Sequence, residues 1–397
     1  MNDGSSPRTE IRVRLFGRTD VGQIREHNED NFLVADLTRR SRGLLEADRE
    51  QVLGEWGTLL GVCDGMGGAA AGEIASQLAV DIIYEKLIQG DPPRQHDELA
   101  RRLVHAVEEA GVRIFNEARA DRTRRGMGTT ATIAAVMDSR LFIAQVGDSR
   151  AYVLRGDRLV QVSRDQSLVN QLIEAGQLTE EEAETFEHNN IILQALGTAE
   201  TVQVDLTYVD LQRGDRLLLC SDGLSGMVRA DELREVLISA KEPLEACRDL
   251  TDRANRAGGH DNITVIVAEF DGPGLPVRDA GVELAYKKYA LPDYPTGESQ
   301  RLSPGGEFET GLPSEEAQRE SRRLKVGHTM VGIQFSLPDA AQANLSPHTD
   351  PPADVPQYTS HDDPVSIPID GLPPALVGFM VLAAMIVVAC AGFLLLR

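Results

Sequence analysis

Basic residues are in short supply: 40 Lys and Arg stand against 62 Asp and Glu, a formal charge of −22 over 397 residues. Nucleic acid is therefore a poor partner, because phosphate neutralisation needs a cationic surface. Cysteine is scarce too. Cys63, Cys220, Cys247 and Cys390 are too scattered for a disulfide framework and form no CxxC pair of the kind that holds zinc, so they read as reduced, apolar residues. The first ten residues lack the apolar core of a secretory signal, which leads to the expectation of a cytosolic protein. No Lys or Arg lies between Lys325 and Arg397, so charge bias gives no orientation there. There is no internal repeat.

What the chain does have is unevenly distributed. Residues 375–396 form a run of 22 without a charge or strong polar group, about the ~20 that span a bilayer as a helix. A transmembrane helix over 375–396 is the expectation; a buried core helix fits less well, because the run is apolar all round. Before it, residues 273–370 hold 13 of the 19 prolines with no sustained periodicity, which predicts a disordered linker over 272–374. The small apolar island Gly327-His328-Thr329-Met330-Val331-Gly332 interrupts it; a docking or phosphorylation motif is one reading, and chance composition fits it better.

Residues 11–271 alternate short β-rich runs with amphipathic helical stretches, which predicts one packed α+β domain. Strands are expected at 11–16, 31–35, 58–63, 129–137, 140–146, 151–154, 158–162, 202–208, 216–220 and 262–270. The dipeptides Asp138-Ser139 and Gly156-Asp157 separate pairs of apolar runs, so antiparallel hairpins are expected there. Two long helices lie between strands. One carries Leu99, Leu103, Val107, Ala110, Ile114 and Ala118 at the three-and-four spacing of a single buried face.

Aspartates recur at the ends of these apolar strands, beside glycine: Asn28-Glu29-Asp30-Asn31, Cys63-Asp64-Gly65-Met66-Gly67-Gly68, Val146-Gly147-Asp148-Ser149-Arg150, Ser221-Asp222-Gly223 and Gly258-Gly259-His260-Asp261-Asn262. A carboxylate after a buried strand points from a rigid edge, and glycine lets a backbone carbonyl approach a ligand. Oxygen ligands of this kind suit magnesium or manganese, and two such ions can activate a bridging water for phosphoryl displacement. Taken singly, each Asp-Gly is as well explained by an ordinary turn.

Taken in order, with Thr19-Asp20-Val21-Gly22, Arg25 and Gly128-Thr129-Thr130 added and His260-Asp261-Asn262-Ile263-Thr264 closing the series, these motifs resemble the metal-dependent, type 2C protein serine/threonine phosphatases of bacteria. The resemblance implies a central sandwich of two antiparallel β-sheets flanked by helices, with a metal centre at one end. It implies two manganese or magnesium ions, with Asp64 bridging them, the carbonyl of Gly65 on the first, Asp222 and Asp261 on the second, and Asp30 a ligand or the holder of a bound water. Glu29 would stand behind these ligands. Asp148 is similar to the aspartate of a third, weaker site, and Arg25 to the arginine that binds phosphate. The substrates implied are phosphoserine and phosphothreonine proteins, with serine/threonine kinases and their substrates as partners at the cytosolic face of the membrane. The rival is a binding module that keeps the fold without turnover; intact Asp64, Asp222, Asp261 and Arg25 speak against it.

Two departures stand out. Met66 occupies a position where animal relatives carry a proton-donating histidine, and methionine has no proton to give. Residues 187–197 lack the proline and arginine that relatives often carry before Ala195-Leu196-Gly197, which leaves the role of the preceding substrate-facing flap open.

Overall fold

The computed structural model describes residues 10–291, except for 45–48, 68–70, 184–185, 187–189 and 280. The chain opens with β1 (Arg12–Asp20), β2 (Asn31–Asp36), β3 (Ser41–Arg42), β4 (Glu50–Val52), β5 (Thr58–Cys63) and β6 (Gly65–Met66). Helices α1 (Ala71–Leu87) and α2 (His96–Ala120) follow, then β7 (Gly128–Thr129), β8 (Ala131–Met137), β9 (Arg140–Val146), β10 (Arg150–Arg155) and β11 (Arg158–Gln161). After the short helices α3 (Leu168–Glu174) and α4 (Glu180–Ala183) come β12 (Asp205–Asp210), β13 (Arg216–Cys220), α5 (Asp222–Ser225), α6 (Ala230–Ser239), α7 (Pro243–Arg256), β14 (Ile263–Asp271) and β15 (Lys287–Lys288).

The strands build two antiparallel sheets, ordered β11-β10-β13-β14-β1-β4 and β15-β12-β9-β8-β5-β2-β3, with β6 and β7 as a separate ribbon. Side chains alternate between sheet faces, and both faces here are covered. Val13, Leu15, Leu217, Leu219 and Ile266 of the first sheet meet Val34, Leu60, Val62, Val136 and Ile143 of the second in an inter-sheet core. On the outer face of the second sheet, Leu33, Leu59, Ile133 and Phe142 receive α1 and α2. On the outer face of the first, Leu218, Val265 and Val267 receive α6 and α7. Burial on both faces is why these strands read as nearly continuous apolar runs. Every residue of the α2 stripe read from the sequence is buried.

The hairpins form as expected. Met137 pairs with Arg140 and Arg155 with Arg158, and Asp138 (φ 52°) and Gly156 (φ 67°) open the two turns in the left-handed region.

The packed chain runs past 271, where the linker was expected to begin. Leu275 and Leu284 are buried in the inter-sheet core, and β15 pairs with β12. Proline in this stretch ends no fold, because it lies over the surface as irregular backbone held by buried leucines. Residues 292–374 of the expected linker and the expected membrane span at 375–396 lie outside the described residues. Among the described residues no helix is long and apolar enough to cross a membrane.

Candidate functional site

Register brings the aspartate motifs to one end of the sandwich. Asn31 pairs with Cys63, Asp20 with Ile263, Arg150 with Cys220 and Ala131 with Val146. The residues just beyond those pairs, Asp30, Asp64, Asp148, Asp222 and Asp261, therefore converge from both sheets.

The loop joining β1 to β2 is anchored by a residue to which the sequence reading gave no role. Asn262 donates its side-chain amide to the carbonyls of Val21 (3.0 Å) and His27 (2.9 Å) and accepts from the Glu29 amide at 2.8 Å. Gly22 lies under it with φ 80°, where a Cβ would collide with the Asp261 carbonyl. Gly65 is equally confined: a Cβ there would collide with the carbonyls of Gly72 and Glu29. Only glycine lets α1 start against this loop.

Neighbouring residues hold this end of the sandwich in place. Ser221 donates its hydroxyl to Asp30 at 2.7 Å. Asp64 is fixed through its backbone, its amide donating to the Thr130 hydroxyl (2.9 Å) and its carbonyl accepting from the Thr130 amide (2.8 Å). Asp222 opens α5. Asp148 follows Gly147, whose amide and carbonyl are both bound by Gln166 (3.0 and 2.8 Å). One oxygen each of Asp30, Asp148 and Asp222 is buried with no hydrogen-bond partner. Ser221, Thr130 and Asn262 all sit inside the motif strings, but hydroxyls and amides carry no signal that separates them from neighbours.

Four of these acids hold a proton more tightly than an ordinary carboxylate, first because they are buried and then because of the acids around them. Burial, reinforced by Asp222 and Asp261, pushes the Asp30 carboxyl up to about 7. Burial, followed by Asp222 and Asp165, does the same for Asp148, also to about 7. Asp64 is driven well above the usual carboxylate range, first by burial and then by Asp30, Asp222, Asp148 and Asp261. Asp222 is raised by burial and Asp261, and Glu29 by burial, with Arg25 opposing.

Arg25 stands at the rim, its side chain 53% exposed, and its guanidinium pairs with Asp261 at 2.7 Å. Neither Glu26 nor Glu29 takes it. The second oxygen of Asp261 accepts from the Asn262 amide at 2.8 Å. No group of three or more acidic, histidine or cysteine side chains among the described residues is drawn together tightly enough to hold a metal as it stands. The chemistry of the set nevertheless fits a hard divalent cation: all-oxygen donors, three buried oxygens without partners, and proton affinities raised by burial and by neighbouring acids, which a cation would offset.

The protein phosphatase 2C family profile matches residues 38–257. The chain is 37% identical over 252 residues to the serine/threonine phosphatase stp of Listeria innocua, covering 64% of this chain and 94% of that one. It is 35% identical over 279 residues to the serine/threonine protein phosphatase PstP of Mycobacterium tuberculosis, 69% of this chain and 53% of that one. The solved catalytic domain of PstP in complex with two manganese ions superposes with a TM-score of 0.55 at 34% identity, covering 66% of this chain and 99% of that chain.

Proposed function

This chain belongs to the protein phosphatase 2C family, and from that premise we propose that it removes phosphate from phosphoserine and phosphothreonine on proteins with the help of divalent cations held at the acidic end of its sandwich. Serine/threonine protein phosphatase activity is the family's common ground with stp and PstP. The observation that carries the rest is the set of five converging aspartates, four with raised proton affinity and three with an unpartnered buried oxygen. Nothing in an ordinary soluble domain is gained by burying them together without a cation.

Asp64, Asp222, Asp261 and the carbonyl of Gly65 would hold two manganese or magnesium ions, with Asp30 beside them and Asp148 serving a third, weaker position. The chemistry such a pair supplies is Lewis acidity toward phosphoryl oxygens and a lowered pKa for water. The protein's own groups do the rest. Arg25 leaves Asp261 to offer its planar fork to two phosphoryl oxygens, which neutralises charge and orients the ester for in-line attack. Water attacks phosphorus and gives a proton up to solvent, the bond to the seryl or threonyl oxygen breaks, and that oxygen takes a proton back from water, since Met66 can donate none. Ser221, Thr130 and Asn262 keep the carboxylates in place so that little reorganisation accompanies the reaction.

The catalytic end would work at the cytosolic face of a membrane, held by the apolar run 375–396 through residues 292–374. If that stretch behaves as a random coil, its root-mean-square reach is on the order of 50 Å. Kinases and their phosphorylated substrates at the membrane are then the partners in range. Phosphate release from a phosphothreonine peptide, with and without chelator, tests the chemistry. Full turnover in chelator with metal content verified as nil would contradict it.

A further inference from the structure

Residues 272–291 lie beyond the family match at 38–257, yet they turn back across the sandwich and are tied to it throughout. The Gly274 amide donates to the Glu10 carbonyl (2.9 Å), the Arg213 amide to the Pro276 carbonyl (2.9 Å), and the Tyr289 amide to the Leu206 carbonyl (2.8 Å). Leu275 and Leu284 are buried. Lys287 and Lys288 pair with Tyr208 and Thr207 at the outer edge of β12. The Tyr289 ring meets Phe142 and Tyr208 edge-on, at centroid distances of 5.2 and 5.5 Å, and its hydroxyl bonds Asp97. This strap ends beside Asp205, the first residue of β12.

Asp205 is only 16% exposed and is shared by three elements. Lys288 of the strap approaches one oxygen at 3.6 Å. The other accepts from the Gln166 side chain at 3.1 Å and faces Arg164 at 3.7 Å. Gln166 and Arg164 anchor the segment that runs from β11 into α3, and Gln166 also grips both the amide and the carbonyl of Gly147, the residue before Asp148. From the far side Gln145 holds the carbonyls of Gly147 and Ser149 (3.1 and 2.8 Å). Arg150 joins the same junction through Asp165 at 2.7 Å.

We propose that Asp205 is a positioning residue for the catalytic end: it fixes the Gln166 amide and thereby the Gly147–Asp148 turn, and the strap sets Asp205 through Lys288 and Tyr289. A chain of direct contacts links Lys288 of the strap with the turn that carries Asp148. An exposed pair such as Lys288 with Asp205 is weak alone. The β12 edge pairing and the aromatic anchor hold the lysine where its charge acts on a nearly buried carboxylate, and that is what gives it leverage. Relative to the proposed phosphatase chemistry, only the kinetic arm of the test depends on that reading.

Hydrogen exchange on the full chain decides it. In Asp205→Asn the amides of residues 164–174 should exchange about tenfold faster, as local opening without global unfolding predicts, while β5 and β13 stay as protected as in the wild type. Tyr289→Ala and Lys288→Ala should move the same residues in the same direction, and Asp205→Glu should restore protection. On a phosphothreonine peptide, Asp205→Asn should lower kcat more than it raises KM. Should Tyr289→Ala loosen every element, Lys288→Ala, exposed and dispensable for packing, is read in its place. Unchanged exchange over 164–174 in both Asp205→Asn and Lys288→Ala overturns the proposal, whatever the turnover, and leaves the strap a packing element. Exchange altered as expected with no turnover in any form would instead count against the phosphatase reading.

Discussion

Asp222 and Arg25 should fail in different ways when replaced. Asp222→Asn removes a charge from the set proposed to hold the cations, so turnover should fall at least about 100-fold and calorimetric manganese binding should weaken with it. Arg25→Ala should raise KM for a phosphopeptide by about 10- to 100-fold, the worth of a charge-assisted hydrogen bond, and leave manganese affinity intact or improved, because Asp261 loses its competing partner. A large loss of manganese binding in Arg25→Ala would make that arginine structural. The acids also predict a pH dependence for the chelated protein. Asp30 and Asp148 are raised from an ordinary value of 3.8 to about 7, so the folded state binds their protons more tightly than the unfolded state. The stability they contribute is full below about pH 4 and is lost as pH rises through about 7. The metal-free protein should melt at a lower temperature at pH 8 than at pH 5, and Asp30→Asn should flatten the trend. Manganese should reverse it, since binding needs the ionised carboxylates; a flat or rising melting temperature in chelator would contradict the raised proton affinities. The identity of these acids was legible because strand-end aspartate beside glycine recurs in a fixed order. The pairing of Arg25 with Asp261 was not, because it joins residues far apart in sequence through a rim that no periodicity describes.

Among the elements, β13 carries the heaviest constraint, lying between β10 and β14 with both faces buried and leading directly into Ser221 and Asp222. Leu219 points into the inter-sheet core, and Leu219→Ala should cost about 2–5 kcal/mol of stability in denaturant titration. A cost below about 1 kcal/mol would mean the core relaxes there and that the site rests on something else. Strands at 58–63, 140–146 and 216–220 were legible to the residue, since each is an apolar run cut off sharply by a turn or an aspartate. The ribbon β6–β7 and strands β3, β4 and β15 were not, because two or three residues have no period to read. The strap escaped for a related reason: its anchors Leu275, Leu284 and Tyr289 are nine and five residues apart, a spacing that matches neither strand nor helix.

For the molecule as a whole, charge is unevenly assigned. The acidic set also repels an anionic substrate, so under the proposed mechanism Arg25 and bound cations would together reverse the local sign before a phosphoprotein enters. The proposed membrane tether would add a second organisation on a larger scale. Deleting residues 373–397 should move the protein from the membrane to the soluble fraction of expressing cells and spare hydrolysis of free peptides; a full-length protein already in the soluble fraction would contradict the anchor. The account's centre, however, is the cation-dependent use of the acidic end, and one titration tests it most directly. The full-length protein, stripped by chelator, is titrated with manganese while phosphate release from a phosphothreonine peptide is followed, alongside Asp222→Asn. The wild type should be inactive when stripped and recover in step with manganese binding, and Asp222→Asn should stay inactive at saturating manganese while melting cooperatively. Turnover by the stripped wild type, or near wild-type turnover by Asp222→Asn, would contradict it.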